Sequence, residues 1–163
     1  MAPQDVFPVA SLAKAQVTEA RDDAAARVLI VDDDVSSRLT LAAMLSPAGY
    51  RITFASSASE VRQRLALIDP DVIVCDLVME DMCGDEFFRW LKAHARWHVV
   101  PIVAITQLDD PVVRADLLQA GADSVLGKPC DAHELRAQIR AVLRMGRKLR
   151  QVADRHRNSS EDS

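Results

Sequence analysis

The sequence contains no run of eighteen apolar residues, so no segment is expected to cross a bilayer. Met1–Arg27 lacks the basic start and apolar middle of a secretory signal, which fits a cytoplasmic protein. Cysteine is scarce: Cys75, Cys83 and Cys130 are odd in number, and their spacing matches no metal-binding pattern. A disulfide scaffold is thereby excluded, and reduced thiols are expected. His94, His98, His133 and His156 are scattered and form no ligand set. There is no ATP-binding motif, which removes autokinase chemistry, and there is no internal repeat.

An excess of positive charge is also missing from the body of the chain. Residues 28–143 hold 17 acidic and 11 basic side chains. An acidic body argues against nucleic-acid binding by that region. The balance reverses in residues 144–163, with 6 basic and 3 acidic side chains, a pattern that reads as a solvated helix face.

What is present is ordinary in amount and ordered in pattern. A chain of 163 residues fits one domain, and 49% apolar with 27% charged residues fits a soluble globular class. After Pro3 and Pro8, Val9–Ala26 reads as an alanine-rich helix. Its Leu12, Ala13, Val17, Ala20 and Ala24 fall near helical spacing and suit docking on the domain or on a second copy. Strands are then predicted at Val28–Val31, Tyr50–Phe54, Val72–Cys75, Val99–Ile105 and Ser124–Leu126. Helices are predicted from a cap at Ser36 or Ser37 to about Ser46, over Ser57–Ile68, Asp85–His94 and Val112–Ala120, and from Asp131 to about Ala153. Strands that are apolar throughout are buried on both faces, which implies an α/β fold with a doubly wound, five-stranded parallel sheet.

The resulting division is an N-terminal extension over 1–26, a domain over 27–144, and an extension of the last helix with a polar tail over 145–163. Asn158–Ser163 is polar enough to suggest disorder. Along the last helix, Leu135, Ile139, Val142, Leu149 and Val152 form a stripe with Gly146 in its gap. The first half suits packing on the sheet, and the second half projects with a stripe in want of a partner.

The chemistry-bearing residues follow the strands. Asp32, Asp33 and Asp34 follow the first strand, Asp76 the third, Thr106 ends the fourth, and Lys128–Pro129 follow the fifth. In a parallel sheet these positions gather at one edge, where ligands bind in such folds. Clustered carboxylates repel unless a cation joins them. An oxygen-only set suits Mg²⁺. Asp76 would then act as a nucleophile that accepts a phosphoryl group, with Lys128 neutralising charge and Thr106 donating a hydrogen bond.

Read together, the motifs VLIVDDD (Val28–Asp34), DVIVCD (Asp71–Asp76) with Met79, Met82 and Gly84, PIVAIT (Pro101–Thr106) and GADSVLGKP (Gly121–Pro129) resemble the receiver domain of two-component response regulators. The resemblance spans about Arg27–Arg144. It implies a flavodoxin-like strand order 2-1-3-4-5 and phosphoryl transfer to Asp76 from a histidine kinase or histidine phosphotransfer protein. It further implies Asp33 as a direct Mg²⁺ ligand, Asp32 as a ligand through water, the Val78 carbonyl as a third protein oxygen, Thr106 as the switch hydroxyl, and a cis bond before Pro129. The chain departs from the family at Glu80, Cys83, Gln107, Val125 and Cys130. Val125 stands where an aromatic switch residue is usual. Val78 and Leu108 are apolar and cannot orient an attacking water, so slow autodephosphorylation is expected.

The functional expectation is a receiver that acts by contact with a downstream protein, with no separate substrate turnover. Two alternatives stay open: a receiver segment of a larger hybrid kinase or multidomain regulator, and a phosphorylation-independent scaffold or dimerisation module. A homodimer through the terminal helices is a further expectation.

Overall fold

The computed structural model describes residues 26–77, 83–108 and 110–161. In chain order these form β1 (Arg27–Val31), α1 (Val35–Leu45), a 3₁₀ turn at Ser46–Ala48, β2 (Arg51–Ala55), α2 (Ala58–Ile68), β3 (Val72–Asp76), α3 (Gly84–Ala93), β4 (Ile102–Thr106), α4 (Pro111–Ala120), β5 (Ser124–Gly127) and α5 (Ala132–Glu161). The strands pair in parallel in the order β2-β1-β3-β4-β5. The fold is the flavodoxin-like α/β sandwich expected from the sequence.

Strand side chains alternate between two cores. Leu29, Val31, Ile73, Cys75, Ile102, Ala104 and Val125 face one layer, which holds Val61 and Leu65 of α2, Phe87, Phe88 and Leu91 of α3, and Leu117 of α4. Val28, Ile30, Val72, Val74, Val103, Ile105 and Leu126 face the other, with Leu41 and Leu45 of α1 and Leu135, Ile139 and Val142 of α5. Each fully buried Val, Leu, Ile or Phe among them contributes roughly 1.5–3 kcal/mol relative to exposure.

Local chemistry sets the helix ends. The cap of α1 is Asp34, whose Oδ1 accepts the Ser36 N–H at 2.9 Å, and not Ser36 or Ser37 as the sequence suggests. The chain leaves β1 at Asp32, so the first residue able to cap is an aspartate. Ser57 caps α2 by accepting the Glu60 N–H, while Glu60 Oε2 accepts the Ser56 N–H at 2.8 Å. Asp69, at φ 44°, closes that helix. Asp110 caps α4, with Pro111 at its first position and Gly121 at φ 125° ending it. The predicted fourth strand starts too early: Pro101 brings no N–H to the ladder, and β4 begins at Ile102. α5 runs to Glu161, through residues whose polarity suggested a disordered tail; neither glycine nor proline follows Gly146 to interrupt it. The helix predicted over Val9–Ala26 lies outside the described residues except for Ala26. That residue is not helical, and its carbonyl accepts the Arg51 N–H at 3.0 Å. No helix among the described residues is long and apolar enough to cross a membrane.

Candidate functional site

Strand register brings the informative loops together. Val31 pairs with Cys75, Asp76 with Ile105, and Thr106 with Gly127. The residues that follow β1, β3 and β5 therefore emerge side by side at the carboxyl edge. This edge includes the gap between β1 and β3, where the strand order reverses and ligands bind in doubly wound sheets.

Asp32, Asp33 and Asp76 place one carboxylate oxygen each within 4.8 Å of the others. Asp32 is fully buried, yet both of its oxygens are held. Its Oδ1 accepts the Asp34 N–H at 2.9 Å, and its Oδ2 lies 3.4 Å from Lys128 Nζ. Arg38 Nη1 donates to the Asp32 carbonyl at 2.6 Å, which ties α1 to the end of β1. Lys128 Nζ is also 3.3 Å from Asp76 Oδ2. Among the described residues no buried side-chain nitrogen or oxygen is left without a partner.

The ammonium is held by backbone as well as charge. The Lys128 N–H donates to the Thr106 carbonyl at 2.7 Å, and the following bond to Pro129 is cis, as the resemblance implies. Burial lowers the Lys128 pKa, but the charges of Asp76 and Asp32 and hydrogen bonds to both outweigh it, so the net shift is upward. Thr106 is buried, and its Oγ1 accepts the Leu108 N–H at 3.0 Å, which fixes the hydroxyl at the end of β4.

The loop after Asp76 is pinned at both ends. Gly84 N–H donates to the Leu77 carbonyl at 2.9 Å. A Cβ at Gly84 would lie 2.8 Å from that same oxygen and 3.0 Å from Leu77 Cα, so only glycine permits this approach. Val78, Met79, Glu80 and Met82 lie outside the described residues.

Ser37 was not singled out for the site on sequence. Its Oγ sits 3.4 Å from Lys128 Nζ, because the first turn of α1 faces back over the end of β1. The available signal was its position one helical turn beyond the acidic pair. Ser36, Ser37, Thr40, Gln107, Lys128 and Cys130 line part of an open groove of about 570 Å³ beside the cluster. Gln107 is exposed in this groove rather than packed over the carboxylates. Cys75 sits under Asp76 in the opposite core, and burial followed by the Asp76 and Asp32 charges pushes its thiol pKa far up. Burial also raises the Cys130 pKa. Both shifts suit inert thiols. Val125 is buried in β5, and its carbonyl accepts from Arg114 Nη1 at 3.2 Å.

An all-oxygen set of three carboxylates facing one ammonium has the chemistry of a divalent-cation site and of a phosphoacceptor. Known proteins with this architecture are numerous. The model of the response regulator receiver domain matches residues 28–140. The transcriptional regulatory protein GltR of Pseudomonas aeruginosa is 36% identical over 117 residues, covering 72% of this chain and 48% of the relative. Response regulator MprA of Mycobacterium leprae is 38% identical over 118 residues, covering 72% and 51%. The chain thus spans about half the length of these curated relatives. Among solved structures, the receiver domain of a signal transduction histidine kinase from Syntrophus aciditrophicus superposes with a TM-score of 0.68 at 31% identity, covering 73% of this chain and 90% of that one. The chemotaxis response regulator CheY4 of Vibrio cholerae gives 0.67 at 29% identity, covering 72% and 98%. The matched span coincides with the sheet and its acidic edge: this chain belongs to the response regulator receiver domain family of two-component systems.

Proposed function

We propose that this chain is a phosphoacceptor that takes a phosphoryl group on Asp76 from the phosphohistidine of a histidine kinase or histidine phosphotransfer protein. The observation that carries the reading is the meeting of the Asp32, Asp33 and Asp76 carboxylates within 4.8 Å, with Lys128 Nζ 3.3 Å from Asp76. These residues fit Mg²⁺, which Asp33 and Asp76 would hold directly and Asp32 through water, with the Val78 carbonyl as a further oxygen. Bound there, Mg²⁺ supplies positive charge that offsets the phosphoryl oxygens.

An Asp76 oxygen attacks phosphorus as the P–N bond to the donor imidazole breaks, and the bonding pair leaves with that nitrogen. Lys128, already drawn to Asp76, stays beside the charge as it spreads onto the phosphoryl oxygens. The Thr106 oxygen is held by the Leu108 N–H, which orients the hydroxyl to donate its proton to a phosphoryl oxygen. The Asp34 N–H keeps Asp32 oriented throughout. Leu108 carries no group that could direct water at the acyl phosphate, so loss of the phosphoryl group is slow.

The proposed unit is a receiver over 27–144, with α5 extending beyond it, and its output is contact with a downstream protein. A second reading is a receiver segment of a larger hybrid kinase or multidomain regulator. It is favoured by the 30-residue α5, by the half-length match to curated relatives, and by the likeness to a receiver from a histidine kinase.

Phosphoramidate tests the phosphoacceptor reading, because its P–N bond is of the phosphohistidine type. Phosphorus NMR should show an acyl phosphate with Mg²⁺ and none with EDTA. A folded chain that forms no acyl phosphate under either condition favours the phosphorylation-independent scaffold reading instead.

A further inference from the structure

Three oxygens surround the Lys128 ammonium, and one of them carries no charge. Asp76 Oδ2 lies 3.3 Å from Nζ, Asp32 Oδ2 3.4 Å and Ser37 Oγ 3.4 Å. An ammonium has three protons and no lone pair, so all three oxygens accept. A charge-assisted bond given wholly to one carboxylate closes to about 2.7–2.9 Å. The near-equal distances of 3.3 and 3.4 Å therefore describe an ammonium shared among its partners rather than committed to one.

The Ser37 hydroxyl is set in a fixed corner. The Asp34 N–H donates to Asp32 Oδ1 at 2.9 Å, and the Ser36 N–H donates to Asp34 Oδ1 at 2.9 Å. The Arg38 N–H donates to the Asp34 carbonyl at 3.0 Å, and Arg38 Nη1 to the Asp32 carbonyl at 2.6 Å. Ser37, half-buried, lies between these tied residues, so the first turn of α1 shifts only if they break. Lys128 is anchored on its own side by its N–H on the Thr106 carbonyl at 2.7 Å. The contact thus joins two backbone-held segments 91 residues apart in the chain.

Folding gives a weaker reason for a serine at this position. Asp34 already caps α1, and within a helix serine is less favourable than alanine. The ammonium supplies the better reason, because it needs an acceptor there.

The three partners change differently once transfer begins, and this step rests on the phosphoacceptor reading of Asp76. Asp76 loses its free charge as its oxygen bonds phosphorus. Asp32 and Asp76 also belong to the carboxylates that suit a divalent cation. Both therefore loosen their hold on Lys128 during the reaction. The Ser37 hydroxyl is neutral and enters neither event, so its hold stays constant. Without it, the ammonium falls toward the carboxylates and engages the Asp76 oxygen that must attack. With it, the ammonium is kept back from that oxygen and stays in reach of the phosphoryl oxygens.

We propose that Ser37 is a positioning residue for phosphoryl transfer, acting through Lys128 as the one partner whose hydrogen bond persists from the free carboxylate to the acyl phosphate.

The test pairs a spectrum with a rate, both on the full chain. The proton–nitrogen NMR signal of the Lys128 ammonium, recorded without phosphodonor or Mg²⁺, reads the contact, and Lys128→Met identifies the signal. Ser37→Ala should shift that signal and speed exchange of its protons with water about fivefold, the scale of one hydrogen bond. Ser37→Thr returns an oxygen and should restore both. With phosphoramidate and Mg²⁺, Ser37→Ala should slow acyl-phosphate formation by a similar factor, about fivefold, and Ser37→Thr should recover most of the loss. In a Lys128→Met background, Ser37→Ala should cost nothing more. An equal loss in that background, or no loss beside an intact Lys128, would overturn the proposal. So would an ammonium signal that Ser37→Ala leaves unchanged. A shifted signal with no acyl phosphate in the wild type would instead fail the phosphoacceptor reading, and the role of Ser37 with it.

Discussion

At the carboxyl ends of the strands, Asp32 is fully buried beside two further carboxylates and the Lys128 ammonium. At the amino ends, Leu118, Met145 and Leu149 stand half-exposed around a groove that Lys92 and Asp123 also line, and Val152 is exposed further along α5. Each edge keeps surface that folding alone would not favour. Close-set carboxylates, one of them buried, are costly unless a cation joins them, and an exposed apolar stripe is costly unless something covers it. The two edges therefore differ in chemistry, one a set of carboxylates and an ammonium with the oxygen donors of a divalent-cation site, the other a stripe of exposed aliphatic side chains.

The largest expected effects lie along α5, which visits both environments. Ile139→Ala should destabilise the protein by about 2–5 kcal/mol, because Ile139 is fully buried in the core. Leu149→Ala should change stability by only about 0.5 kcal/mol. Urea unfolding of the two variants measures the contrast, and equal losses would erase the distinction between the helix's two halves.

Next is the rate of phosphorylation. Lys128→Met should slow transfer to Asp76 by about 100-fold, the scale for removing one charge-stabilising group. Stop-flow mixing with a small phosphodonor measures this. The same variant has a distinct pH signature. The Lys128 pKa is raised in the fold, so its contribution to stability is complete below the unfolded value, ordinarily 10.5, and fades only as pH rises through the folded one. The difference in Tm between wild type and Lys128→Met should stay level through neutral pH and shrink only in strong alkali.

The smallest effect sharpens the account of the acidic edge. Asp32→Asn removes one of three neighbouring charges, and in EDTA it should raise stability by roughly 1–2 kcal/mol, the usual gain when a functional strain is relieved. Calorimetry should show that gain shrinking or reversing once Mg²⁺ is added. A loss of stability in EDTA would mean that the bond from Lys128 outweighs the repulsion.

Much of this was legible in the sequence because both signals are local. Continuous apolar strands gave the buried parallel sheet, and the residues just after β1, β3, β4 and β5 gave Asp32, Asp33, Asp76, Thr106 and Lys128. What escaped depended on three-dimensional placement. Ser37 looked like a helix cap because capping chemistry fits Ser and Asp equally; only the true start of α1 turns its hydroxyl toward Lys128. The early start read for β4 came from Val99 and Val100, whose apolar character serves the turn before Pro101. The length of α5 was underestimated because polarity suggests disorder, whereas Arg, Lys and Gln are also good helix formers.

The central claim is that Asp76 is the acceptor at the junction of these loops. Intact mass after incubation with acetyl phosphate and Mg²⁺, for wild type beside Asp76→Asn, tests it most directly. The account predicts a gain of about 80 Da, one phosphoryl group as an acyl phosphate, in the wild type alone. The same gain in Asp76→Asn, or none in a folded wild type, would contradict it.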